Sequence, residues 1–207
     1  MILTKIKESK IIAIIRLKDS SEIFNIFNAL IKGGLSCLEL TMNTPNILSK
    51  LKKIRKEFNN ITLGMGTVLK IEDAKKLIDM GIEYIVSPIL NSEIGKLCLN
   101  KNIPYIPGVL TPNEIYSAMQ ITNIVKLFPA NVVGPGYLKN IHDVFPDIKI
   151  VPTGGIDLTN INNYFEKGAY AVGIGTNLVS KKAVEEKNWK EIENTARKYI
   201  NTVNLKL

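Results

Sequence analysis

With 207 residues, 45% of them apolar and 22% charged, the chain has the make-up of one soluble globular unit whose core can stand without disulfides. Cys37 and Cys98 show no CxxC spacing and no histidine neighbour, which argues against a zinc or redox motif and fits a reducing compartment. The net charge of +8 comes largely from lysines scattered along helical segments, with no basic block interleaved with aromatics, so a solvated surface is favoured over nucleic-acid binding.

The opening "MILTKIKESK" is too short and too charged for a secretory signal, and no apolar run is long enough to span a bilayer. A cytoplasmic protein without membrane or nucleic-acid partners is expected. From there, short apolar strands alternate with helical patterns. "IIAIIR" (residues 11–16) is the first strand, and its helix starts at Ser20 and stops at Gly33-Gly34. "CLELTM" (37–42) is followed by a helix opening near Pro45. "ITLGMGTV" (61–68) leads into a helix from Ile71 to Gly81, and "YIVSP" (84–88) into one over 91–100. "PYIPGV" (104–109) precedes a helix at Thr111-Pro112, and "IVKLFP" (124–129) one over 136–145. "KIVPTGG" (149–155) precedes a helix over 158–167 that stops at Gly168, and "AVGIGT" (171–176) precedes a last helix from about 188.

Eight strand–helix units in succession predict right-handed crossovers, a parallel sheet and an α/β fold of the closed (β/α)₈ TIM-barrel type. No linker or composition shift divides the chain, so residues 1–207 are read as a single domain, with "LTKIKESK" as a short N-terminal capping helix. In such a barrel the active site lies at the C-terminal ends of the strands.

Strand parity puts Cys37, Glu39, Thr41 and Asn43 on one face and the aliphatic Leu38, Leu40 and Met42 on the other, so Glu39 points inward. Ile124, Lys126 and Phe128 also share a face. If that face is inward, a lysine and an acid meet inside the barrel. One reading is a buried ion pair that fixes structure; the other is a lysine nucleophile beside a carboxylate acid/base. Only a neutral amine attacks a carbonyl, and an unperturbed lysine, with a pKa of roughly 10.4, is almost wholly charged at neutral pH. The apolar Leu127, Phe128 and Pro129 favour the uncharged form, a close carboxylate opposes it, and a nucleophilic Lys126 therefore calls for Glu39 at some separation.

The paired turns "PTGGI" and "GIGT" suggest an anion site made of exposed backbone N–H groups at Gly154, Gly155, Gly175 and Thr176. Thr67 either binds a carboxylate or caps the next helix, and Arg16 either binds an anion at the rim or is simply solvated. His142 falls on a helix away from the strand ends, and no metal-ligand cluster is visible.

Taken in order, "LELTMNTP", "GMGTVL", "YIVSPIL", "IPYIPGVLTPNEI", "VKLFPANVVGP" and "VPTGGI" resemble the bacterial 2-keto-3-deoxy-6-phosphogluconate (KDPG) aldolases, also called 4-hydroxy-2-oxoglutarate (KHG) aldolases, across residues 11–176. The resemblance implies a class I, Schiff-base lyase of the Entner–Doudoroff pathway, homotrimeric, without metal or cofactor, that releases pyruvate and glyceraldehyde 3-phosphate. It makes Lys126 the imine-forming residue and Glu39 the proton shuttle. Thr67 then holds the pyruvyl carboxylate, Pro88 and Phe128 wall the imine, and Gly154, Gly155, Gly175 and Thr176 take the phosphate, with Arg16 at the rim.

Many relatives carry arginine where this chain has Asn43. Asparagine there resembles the 2-keto-3-deoxy-6-phosphogalactonate aldolases, which leaves the C4 configuration of the substrate open. Met65 stands where a smaller residue is usual and is expected to narrow the pocket. A phosphate-binding barrel without catalysis is the non-enzymatic alternative.

Overall fold

The alternation read from the sequence runs through the computed structural model, which describes residues 1–204. Helix α1 (Ile2–Ser9) leads into β1 (Ile11–Ile15) and α2 (Ile23–Lys32), then β2 (Cys37–Thr41) and α3 (Ile47–Glu57). Next come β3 (Thr62–Gly66), α4 (Ile71–Asp79), β4 (Tyr84–Val86) and α5 (Ser92–Asn100). Two short strands, β5 (Tyr105–Ile106) and β6 (Gly108–Val109), precede α6 (Pro112–Met119). The chain continues through β7 (Ile124–Leu127), α7 (Ala130–Val133), α8 (Gly136–Val144), β8 (Lys149–Pro152) and α9 (Ile161–Glu166). It ends with β9 (Val172–Ile174), α10 (Lys181–Glu185) and α11 (Trp189–Asn204). The short helices α7 and α10 carry no pattern long enough to be read from the sequence.

The strands form two parallel sheets, one of six in the order β5-β4-β3-β2-β1-β9 and one of three in the order β6-β7-β8. The single expected strand "PYIPGV" is split at Pro107, which has no N–H for a ladder. Before the break the chain pairs with β4; at the break the Lys126 N–H donates to the Pro107 carbonyl at 2.8 Å, and from there pairing passes to β7. On the far side, a parallel bridge between Thr153 and Gly173 and a 2.8 Å hydrogen bond from the Tyr170 N–H to the Ile150 carbonyl connect β8 with β9.

Side chains from the strands feed two apolar layers. Outward residues such as Leu38, Leu40, Leu63, Val125 and Leu127 pack under the helices. Inward residues form a second cluster, including Ile12, Cys37, Tyr84, Ile124 and Val151. Ile6 of α1 is fully buried in this inner cluster, and the Tyr170 hydroxyl donates to the Leu3 carbonyl at 2.9 Å, so α1 closes the N-terminal end of the strands as the capping helix was expected to do. The inner face is apolar near that end and turns polar toward the strand C-termini, at Glu39, Thr41, Lys126 and Thr153. Among the described residues no helix is long and apolar enough to cross a membrane.

Candidate active site

At the polar end of the inner face lies a cavity of about 320 Å³. All the site residues expected from the sequence line it: Lys126 and Glu39, with Arg16, Asn43, Thr67, Pro88 and Phe128, and the glycine-loop residues Gly154, Gly155, Gly175 and Thr176. Thr41 and Thr153 line it as well. Parity puts Thr41 on the Glu39 face, though no role was expected of it; Thr153 was missed and lies two residues beyond the inward Val151.

Glu39 sits between β1 and β3, level with Ile14 and Gly64, and is only 2% exposed. Burial pushes its carboxyl above the ordinary carboxylate range, and the positive charge of Lys126 offsets part of that rise. Lys126 projects from β7, half-buried, between Gly108 of β6 and Val151 of β8. Neither group takes part in any ion pair among the described residues. The two face one cavity, and the charge of Lys126 is felt at Glu39 although no ion pair or hydrogen bond joins them.

The surroundings of Lys126 differ from the expectation in one respect. Leu127 points the other way and packs under the helices, 1% exposed, so it is no wall of the amine. The apolar neighbour is Phe128, whose ring centroid is 5.0 Å from Nζ. Phe128 is itself 40% exposed, which places the apolar contact at the mouth. Met65 also departs from expectation: it faces outward, fully buried among the helix-packing residues, and leaves the pocket unnarrowed.

Thr67 adopts a left-handed backbone, φ 60°, which is costly for a β-branched residue and turns the chain sharply over the strand end. The residue at the N-cap of α4 is Lys70, so capping is not the role of Thr67. Gly154 and Gly155, with φ of 102° and 70°, make a turn that other residues rarely adopt. The Asn177 side-chain amide donates to the Ile156 carbonyl at 2.8 Å and ties this turn to the loop after β9. The N–H groups of Gly155, Thr176 and Asn177 find no acceptor among the described residues, which leaves them open to an anion. His142 lies off the cavity, its ring nitrogen 3.1 Å from the Ile148 carbonyl.

Two buried hydroxyls fix the opposite rim. Thr41 Oγ1 donates to the Ile15 carbonyl at 3.3 Å and lies 3.3 Å from Thr44 Oγ1, which accepts from the Leu17 N–H at 3.2 Å. This relay joins the loop carrying Arg16 to the loop carrying Asn43. Thr44→Val keeps the side-chain shape but strips the buried Leu17 N–H of its acceptor. Urea denaturation is expected to show a loss of about 1–3 kcal/mol of stability.

Comparison with known proteins adds to this geometry. The family model described as KDPG and KHG aldolase matches residues 2–195. A 2-dehydro-3-deoxy-phosphogluconate aldolase of Haemophilus influenzae is 32% identical over 204 residues, covering 98% of this chain and 96% of that protein. A 2-dehydro-3-deoxy-6-phosphogalactonate aldolase of Escherichia coli is 30% identical over 171 residues, covering 81% and 83%. Among solved structures, a KDPG aldolase of Legionella pneumophila, with pyruvate captured at low pH as a covalent carbinolamine intermediate, superposes with a TM-score of 0.89 at 29% identity, covering 95% of this chain and 97% of that one.

Proposed function

Because the chain belongs to the KDPG and KHG aldolase family, a family of carbon–carbon lyases, we propose that it cleaves 2-keto-3-deoxy-6-phosphogluconate to pyruvate and glyceraldehyde 3-phosphate through an imine on Lys126. The observation that carries this reading is the shared cavity: an inward lysine, a buried acid and a glycine-lined anion cradle open into one space.

In this reading the neutral Lys126 amine adds to the C2 ketone, and loss of water gives a protonated imine. Glu39 removes the C4 hydroxyl proton, the C3–C4 bond breaks, and its electron pair passes into the imine to leave the enamine of pyruvate. The aldehyde departs. Glu39 returns its proton to C3, and water releases pyruvate and the amine. A carboxyl raised by burial suits both halves of this task, since a shuttle works best when its pKa approaches the working pH. Thr67 holds the pyruvyl carboxylate, Asn43 donates a hydrogen bond without adding charge, and Pro88 and Phe128 shield the imine. The glycine turns bind the phosphate, with Arg16 at the rim. The unphosphorylated 4-hydroxy-2-oxoglutarate would use the same imine without the cradle.

Asn43 favours a second reading in which the galactonate-type C4 epimer is the substrate. Pyruvate release measured on both epimers decides between them. The gluconate-type compound is expected to show the higher kcat/KM, by at least about tenfold or 1.4 kcal/mol. The reverse order would assign the galactonate activity, and a binding barrel would release pyruvate from neither, nor from 4-hydroxy-2-oxoglutarate.

The same reading includes a closed (β/α)₈ barrel, a single domain over 1–207, a homotrimer and a cytoplasmic location. The pairing handed across Pro107 and the Thr153–Gly173 bridge support closure. The last three residues of that domain, 205–207, lie outside the described residues.

A further inference from the structure

On β3 the two inward positions, 64 and 66, are both glycine, and neighbouring side chains occupy the space they leave. Register places Glu39 level with Gly64. A carboxyl leaning straight across would land there, but the Tyr84 ring from β4 already lies over Gly64, where any Cβ would collide with it. The ring is anchored by its hydroxyl, which donates to the Leu38 carbonyl at 2.8 Å. The Glu39 carboxyl lies instead over Gly66, one inward step nearer the strand ends and the cavity. A Cβ at 66 would stand 2.6 Å from Glu39 Cδ and 3.0 Å from Cγ, and would overlap Oε1. Residue 66 has no positive φ, so its backbone accepts alanine without strain and the cost of a side chain there falls on Glu39.

We propose that Gly66 is a positioning residue for the reaction: with the Tyr84 ring blocking the alternative place, the empty space over Gly66 holds the Glu39 carboxyl at the level of the reacting atoms. This rests on the acid/base reading of Glu39. The residue touches no substrate itself and acts only through the carboxyl.

The test compares wild type, Gly66→Ala, Glu39→Asp, the Gly66→Ala/Glu39→Asp double variant and Glu39→Gln in cleavage kinetics. Gly66→Ala is expected to lower kcat by about 100-fold, the cost of misplacing a catalytic group by about 1 Å, while KM changes less than about threefold. Glu39→Asp shortens the side chain by one methylene. It is expected to lower kcat when residue 66 is glycine but to raise it at least about fivefold when residue 66 is alanine, because the shorter acid no longer reaches the place where Oε1 overlaps the new methyl group. Unchanged kcat in Gly66→Ala, or equal effects of Glu39→Asp in both backgrounds, overturns the proposal. A Glu39→Gln variant as fast as wild type overturns the acid/base reading itself, which separates the two failures. Should Gly66→Ala fail to fold, the melting temperature of Gly66→Ala/Glu39→Ala decides. Recovery to that of Glu39→Ala supports the collision, and a midpoint still lowered overturns it.

Discussion

Lys126→Ala is expected to abolish cleavage, with a fall in kcat on the order of 10⁴-fold or more, because among the described residues no other lysine lines the cavity to form the imine. The check is chemical as well as kinetic. Wild-type protein treated with pyruvate and borohydride should carry a reduced pyruvate adduct on the peptide containing Lys126, and the alanine variant should carry none. An adduct found on another lysine would remove Lys126 from the mechanism. Alanine also deletes the partner whose charge draws the Glu39 carboxyl downward, so in Lys126→Ala that carboxyl should titrate higher still. The fold should tolerate the change, since Lys126 takes part in no ion pair among the described residues.

Glu39→Gln should separate proton transfer from imine formation. Loss of a positioned acid/base costs about 10² to 10⁴ in kcat, whereas the amine remains to be trapped by borohydride, more slowly. The wild-type rate should fall as pH drops through the raised carboxyl value, since the base must be ionised to accept the C4 hydroxyl proton, and the glutamine variant should lack that limb. Stability should move in the opposite sense. Between the ordinary carboxylate value and the raised one, the folded chain holds a proton that the unfolded chain has lost, so this group makes stability fall as pH rises. Glutamine carries no such liability. Thermal midpoints of Glu39→Gln should exceed those of wild type at about pH 8 and converge with them near pH 4. A constant offset across that range would mean that burial does not hold the carboxyl protonated.

Much of this site was legible in the sequence because a strand has a period of two. Parity alone turned Glu39 inward and set Lys126 on one face with Ile124 and Phe128, the direction of that face staying open, and the strand ends then named the loops. What escaped depends on relations between strands. The outward turn of Leu127 follows from the same parity once the inward face of Lys126 is known, yet closeness in sequence suggested a wall of the amine. Met65 looked like a pocket residue beside Thr67, but the alternation that empties the inner face at Gly64 and Gly66 carries Met65 to the helices. The accommodation of Glu39 over Gly66 needs the register of β2 on β3 and the ring of Tyr84 on β4, neither of which a single strand records. Pro107 was visible, but its effect on sheet connectivity was not, because the break shows only in which neighbour each half pairs with.

The seal formed by α1 has a bearing on traffic. Ile6 stoppers the inner face at its N-terminal end, so in the proposed reaction substrate and products pass at the polar end, by the strand C-termini. In the proposed reaction pyruvate stays tethered to Lys126 after the carbon–carbon bond breaks, while the aldehyde is held only by the glycine turns. In that reading departure is sequential, phosphorylated fragment first and keto acid last, because the keto acid stays bonded to Lys126 until water cleaves the imine.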